Sequence, residues 1–304
     1  MGNKRLLQVL AITLTAIIWG LSFLSIKVSV AVIPPMTLAL LRFLMASVIL
    51  VAMLKIMEPQ ARLKKEDIPS LLIAGLIGIT LYFFFENNGV KLTTASVASM
   101  IIALIPILTI LADYIFFKSP MPPYKIACVL ISVVGVYLVV GANITGPNGQ
   151  GNIIGNLLMM GAALSWVIYN VVTKPIGKKR SQLYIVTYQT IFGTLSLIPF
   201  SLLEMGSWQA VSLSIILNVA FLGIFCSALG YYLYVYAMKG LGMGVVSYFI
   251  NLVPVVTVIS SYLILKETVT PAQMAGGLLI VASVYLASWK QTSTAGADTG
   301  QKAV

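Results

Sequence analysis

Apolar residues in this chain come in ten long runs, near 6–27, 36–56, 70–90, 93–117, 123–141, 152–174, 183–203, 212–238, 242–265 and 271–289. A hydrocarbon core about 30 Å thick needs roughly 20 apolar residues in a helix. Each run therefore predicts one membrane-spanning helix, and the fold class expected is an all-α membrane protein of ten transmembrane helices. The polar breaks between the runs are short, as a compact bundle requires. The longest, 57–69, carries Glu58, Arg62, Lys64, Lys65, Glu66 and Asp67. The stretch Gly141–Asn152 is rich in Gly and Asn and has no charge, and the tail after Lys290 is small and polar. The first run is about 22 residues long and has a counterpart at 152–174. It reads as part of the fold and not as a signal peptide.

The pattern is one unit used twice. Laid over Lys239–Ser288 at a constant shift of 148, Lys91–Val140 places Lys91 on Lys239, Ser99 on Ser247 and Pro106 on Pro254. The same shift puts Tyr114 on Tyr262, Lys118 on Lys266 and Tyr137 on Tyr285. A shift of 147 puts Trp19 on Trp166 and Lys27 on Lys174. The expected organisation is a first repeat at 1–141, an inter-repeat loop at 142–151, a second repeat at 152–289 and a disordered tail at 290–304.

Composition changes the picture only in confirming the solvent. Charged residues are 9% of 304 positions, against about 25% in soluble domains, and the mean hydropathy is +1.00. The net charge of +11 would suggest nucleic acid, but its placement says otherwise. With the N-terminus inside, fifteen Lys and Arg fall on the cytoplasmic side, and only Lys27, Lys91 and Lys266 fall on the other. That bias sets topology: both termini are expected in the cytoplasm of a bacterial inner (plasma) membrane, with no nucleic-acid partner. Five spans per unit is an odd number, so the copies enter from opposite sides as inverted repeats. Inverted repeats are the architecture of alternating-access transporters.

The Trp19-Gly20-Leu21-Ser22-Phe23 pattern with Lys27, then Pro34 and Arg42-Phe43, resembles the ten-helix EamA-type branch of the drug/metabolite transporter superfamily. So do the Lys91-to-Pro106 and Lys239-to-Pro254 segments and the Leu265-Lys266-Glu267 sequence before Pro271. The first copy departs there, reading Lys118-Ser119-Pro120. The resemblance covers about residues 6–289. It implies a secondary transporter, with export of amino acids, related metabolites or amphipathic drugs through a central cavity.

Trp19 and Ser22 share one helical stripe; Trp166, Tyr169 and Asn170 form the equivalent one. From a rise of about 1.5 Å per residue, the two tryptophans approach the middle from opposite sides. Both stripes are expected to line the substrate path. Arg42 and Glu86 are charges inside spans, which require a reason. Their depths, about 9 and about 6 Å below the outer surface, would let them meet. Their repeat counterparts are Gln189 and Tyr234, both neutral. Glu86 is the best intramembrane carboxylate for proton coupling, yet an arginine neighbour would keep it ionised. Proton antiport and facilitated diffusion both stay open, as does oligomeric state. Pro106 and Pro254 lie mid-span, as packing features or as hinges.

No cofactor or metal is expected. With no histidine, a Ser/His dyad and a zinc-binding HExxH helix are excluded. Without a GxxxxGK[ST] loop, ATP does not drive the chain directly. The remaining alternative class is a lipid flippase or membrane sensor on the same fold.

Overall fold

A computed structural model describes the backbone of residues 2–145, 153–241, 246 and 249–300, and side chains within 4–141, 153–241, 246 and 249–286. Ten apolar helices follow the ten runs: α1 (Lys4–Ser29), α2 (Pro35–Met57), α3 (Lys65–Leu92), α4 (Ala95–Phe117) and α5 (Pro123–Gly141) form the first half. The second half holds α6 (Ile153–Gly177), α7 (Gln182–Leu203), α8 (Leu213–Leu241), α9 (Leu252–Leu265) and α10 (Pro271–Leu286). The first eight are long and apolar enough to cross a membrane, and the last two are shorter over the described residues. No strand occurs among the described residues. The backbone of α5 continues as helix to Thr145 and that of α10 to Gly300. Most of the expected inter-repeat loop, and the side chains of the expected disordered tail, lie outside the described residues.

The two halves share irregularities as well as helices, and these are harder to produce by chance. Among the described residues, both non-glycine positions with positive φ are lysines at matched positions, Lys118 (51°) and Lys266 (56°). Each ends its helix in the left-handed region, and the next amide closes the turn. Ser119 N donates to Asp113 O, and Glu267 N to Ser261 O, both at 3.2 Å. Helices α3 and α8 both pass through π turns, at Leu76–Leu81 and Phe221–Leu229. Helix α4 breaks at Ala103 and Leu104, just before Pro106. The equivalent turn residue, Asn251, precedes Pro254.

Glycines set the closest helix approaches. A Cβ at Gly75 would lie 2.6 Å from the Gln189 carbonyl, and one at Gly223 would lie 3.0 Å from the Arg42 carbonyl. These are repeat-related contacts, α3 on α7 and α8 on α2. Helix α5 packs on α10 the same way: a Cβ at Gly135 would fall 2.7 Å from the Gly276 carbonyl, and one at Gly276 2.5 Å from that of Gly135. Lipid offers no hydrophobic drive between helices, so such backbone proximity is what holds them.

Carboxylates finish the helix ends. Glu204 accepts from Met36 N (3.1 Å), Thr37 N (2.7 Å) and Thr37 Oγ1 (2.9 Å) at the start of α2. At the opposite end Glu58 accepts from Ser181 Oγ (2.5 Å), whose own oxygen caps α7 by accepting from Tyr184 N at 3.1 Å. Beside it Arg180 binds Asp67 through Nε and Glu66 through Nη2, both at 2.7 Å. The bond to Asp67 raises the Arg180 pKa above its usual value. Replacing Gly276 by valine is expected to force α5 and α10 apart, at a cost of about 1–3 kcal/mol. A lowered melting temperature in detergent checks this; an unchanged one would show that the crossing is not tight.

Candidate functional site

The π turns of α3 and α8 face the centre of the bundle, and aromatic side chains from both halves gather around them. A π turn spoils the regular hydrogen-bond ladder and is frequent at functional sites. Here a carbonyl inside the α8 turn, Cys226 O, accepts from Trp19 Nε1 at 3.0 Å. The Trp19 ring then packs against Tyr231 (centroids 5.6 Å) and Tyr234 (5.5 Å). On the other side Trp166 packs against Tyr82 and Tyr169, both at 5.2 Å. Gly78, in the α3 π turn, leaves room for the Tyr169 ring, which a Cβ there would meet at 2.5 Å.

Two charges sit in this aromatic shell. Arg42 and Glu86 are each only 5% exposed. They form no ion pair with one another. Arg42 Nε donates to Ser227 Oγ at 2.8 Å, and the guanidinium lies 4.6 Å from the Phe83 ring centroid. Its Nη1 makes no hydrogen bond. Glu86 accepts from Tyr82 Oη at 2.8 Å. Gln189, the repeat mate of Arg42, lies beside Tyr169, and its Oε1 has no partner. Two polar atoms at matched positions are thus buried and unsatisfied.

The structure brings together Trp19, Arg42, Glu86, Trp166, Tyr169 and Tyr234 from the expected set. Ser22 is buried but spends its hydroxyl on the Trp19 carbonyl, 2.7 Å away in its own helix. Asn170 is half-buried, and its side chain joins none of these contacts. Tyr82, Tyr231 and Ser227 belong to the cluster and were not among the expected residues. Helical spacing could have found two of them: Tyr82 is one turn from Glu86, and Tyr231 one turn from Tyr234.

At the bundle end that carries the C-terminus of α1, the α3–α4 turn is held from two sides. Lys27 Nζ donates to the carbonyls of Val90 (2.9 Å), Lys91 (3.1 Å) and Thr93 (2.6 Å). A cation there also suits the negative end of the α3 dipole. Glu267 accepts from Ala95 N (2.9 Å), Ser96 N (3.1 Å) and Ser96 Oγ (2.8 Å), at the positive end of α4. The repeat mates do neither. Lys174 pairs with Asp113 at 2.6 Å, and Ser119 stands where Glu267 does. Asp113 is thus ion-paired while its side chain stays exposed. At that opposite end a shallow depression lined by Met57, Glu58, Lys239 and Tyr231 is open to the surroundings.

Inverted halves, π-broken helices and a polar, aromatic centre define a membrane transporter of the inverted-repeat kind. The sequence profile of the EamA-like transporter family matches residues 6–141 and again 153–289, and the chain belongs to that family. An uncharacterized transporter of Archaeoglobus fulgidus is 30% identical over 284 residues, covering 93% of this chain and 97% of that one. A Streptantibioticus cattleyicolor protein described as a probable terminal-alkyne amino-acid exporter is 27% identical, covering 91% of each chain. A solved crystal structure with 21% identity superimposes with a TM-score of 0.64, over 91% of this chain and 94% of that one. It shares the fold.

Replacing Trp19 by phenylalanine keeps the ring and removes the donor to Cys226 O. The stranded carbonyl is expected to cost about 1–3 kcal/mol, read as a lower melting temperature. An unchanged melt would mean that the indole N–H does not stabilise the π turn.

Proposed function

We propose that this chain is a secondary transporter that exports amino acids or related small metabolites by alternating access to the central aromatic site. The observation that carries this reading is the convergence of repeat-related residues on one place. Trp19 and Trp166, Arg42 and Gln189, Glu86 and Tyr234 come from opposite halves and meet around the same pair of π turns. A site on a pseudo-two-fold axis faces either side equally when one half rocks against the other. The amino-acid exporter named among the relatives supports the cargo class.

The two ends of the bundle differ, and this bears on direction. The end held by Lys27 and Glu267 is bonded together, whereas a shallow depression that reaches Tyr231 opens at the Lys239 end. Lys and Arg accumulate at the Lys239 end, and the positive-inside bias supports reading that end as cytoplasmic. A resting state open to the cytoplasm is the loading state of an exporter. The breaks before Pro106 and Pro254 serve as hinges, since a helix already interrupted bends at little further cost.

In proteoliposomes, counterflow of radiolabelled L-amino acids is expected with the protein and not with empty liposomes. Trp166→Leu should lower that rate about tenfold or more, at normal expression, by removing the face that packs on Tyr82 and Tyr169. Full counterflow by the variant would move the substrate path away from this site. Movement of labelled lipid with no counterflow would favour a flippase instead.

A further inference from the structure

The central site has a charged half and a neutral half, and this orients its cargo. Helices α2 and α7 run antiparallel across the axis, as Thr194 Oγ1 donates to Phe43 O (3.3 Å) and Thr187 Oγ1 to Leu50 O (3.4 Å). In that register Arg42 and Gln189 lie six residues apart along the pair, about 9 Å. Arg42 and Glu86 occupy the half toward the Lys27–Glu267 clamp. Gln189 and Tyr234 occupy the half toward the Lys239 depression, with Tyr169 and Tyr231 between.

We propose that the site recognises an α-amino-acid zwitterion with an aromatic or other apolar side chain, its carboxylate on Arg42 Nη1 and its ammonium on Glu86. This deepens the transporter reading and rests on it. Arg42 is held in place by Ser227 on its Nε side and by the Phe83 face, leaving Nη1 buried without a partner. A buried guanidinium atom with no acceptor is a standing cost that a carboxylate removes. Among the described residues Glu86 accepts one hydrogen bond, from Tyr82, so acceptor capacity remains for an ammonium.

The two charges being held apart is what selects a zwitterion. A cargo that is only a cation would satisfy Glu86 and leave Arg42 unpaired; a cargo that is only an anion would do the reverse. Leaving a buried charge uncompensated is strongly unfavourable. A zwitterion inserted between them satisfies both. Its side chain then points toward the rings of Tyr231 and Tyr234, which pack on Trp19, and of Tyr169, which packs on Trp166, and these part to admit it.

The test uses the purified full-length protein and three probes of one shape: L-phenylalanine, 3-phenylpropionate, which lacks the ammonium, and phenethylamine, which lacks the carboxylate. Calorimetric titration of the wild type is expected to show phenylalanine binding at least about tenfold more tightly than either of the others. Arg42→Gln copies the residue of the repeat mate, so the fold should tolerate it. It is expected to erase the preference over phenethylamine while keeping phenethylamine binding, which also reports an intact site. Glu86→Gln should erase the preference over 3-phenylpropionate in the same way. If the wild type binds either half-molecule as tightly as phenylalanine, or binds none of the three, the zwitterion proposal falls. It also falls if Arg42→Gln binds phenylalanine with wild-type affinity. Those results leave the transporter reading standing, because counterflow and its sensitivity to Trp166→Leu decide that independently.

Discussion

Inside a bilayer every backbone N–H and C=O must find its partner within the protein. The rest of this structure depends on how that constraint is met where helices end or break. Regular helix satisfies itself; π turns, mid-span breaks and helix termini do not. At several such places a side chain from another helix reaches in. Trp19 of α1 bonds a carbonyl in the α8 π turn. Lys27 of α1 takes three carbonyls at the end of α3. Glu204 and Glu267 take the free amides at the starts of α2 and α4. The bonds that make irregular backbone tolerable are also the bonds that fix one helix against another.

Symmetry determines which of these bonds are shared between the halves. Clamping of α2 and α7 is mutual, with Glu204 at one end and Glu58 at the other, so that pair forms a stable axis. The hold on the α3–α4 turn has no mirror image, because Ser119 replaces the glutamate and Lys174 is engaged by Asp113. A protein built from two equal halves would favour its two open states equally. Here the α3–α4 turn is held by charge-assisted hydrogen bonds and its counterpart is not, so under the alternating access proposed above the two shapes differ in energy. The centre shows the same division: tryptophans and π turns are common to both halves, while the charges Arg42 and Glu86 belong to one.

Much of this was legible in the sequence, for identifiable reasons. The ten spans follow from run length, and the family follows from Trp19-Gly20, Leu265-Lys266-Glu267 and the paired prolines. Those features are local or periodic, so one strand of text contains them. The central position of Trp19 and Trp166 was readable from repeat registration and helical rise. The Arg42–Glu86 pairing considered from depth alone does not form, because depth says nothing about rotation about the helix axis. Ser227 and Tyr82 take those side chains instead. The part played by Glu267 was invisible for a similar reason. Its sequence marks the end of α9, whereas its work is done 172 residues away on Ala95. Ser22 shows the converse limit, as a polar residue in the right stripe whose hydroxyl is used up within its own helix.

The central claim is that an unequal pair of gates biases one symmetric scaffold toward a single opening. Spin labels at Lys91, beside the α3–α4 turn that Glu267 holds, and at Thr268, next to Glu267 itself, test it most directly by electron–electron distance measurement in the membrane. With Glu267 intact, the labels should report one short distance. Glu267→Gln removes the charge that bonds Ala95 and Ser96, and a second, longer population should appear alongside the first. An identical single distance in both proteins would contradict the claim, since the gate would then be closed by something other than this bond.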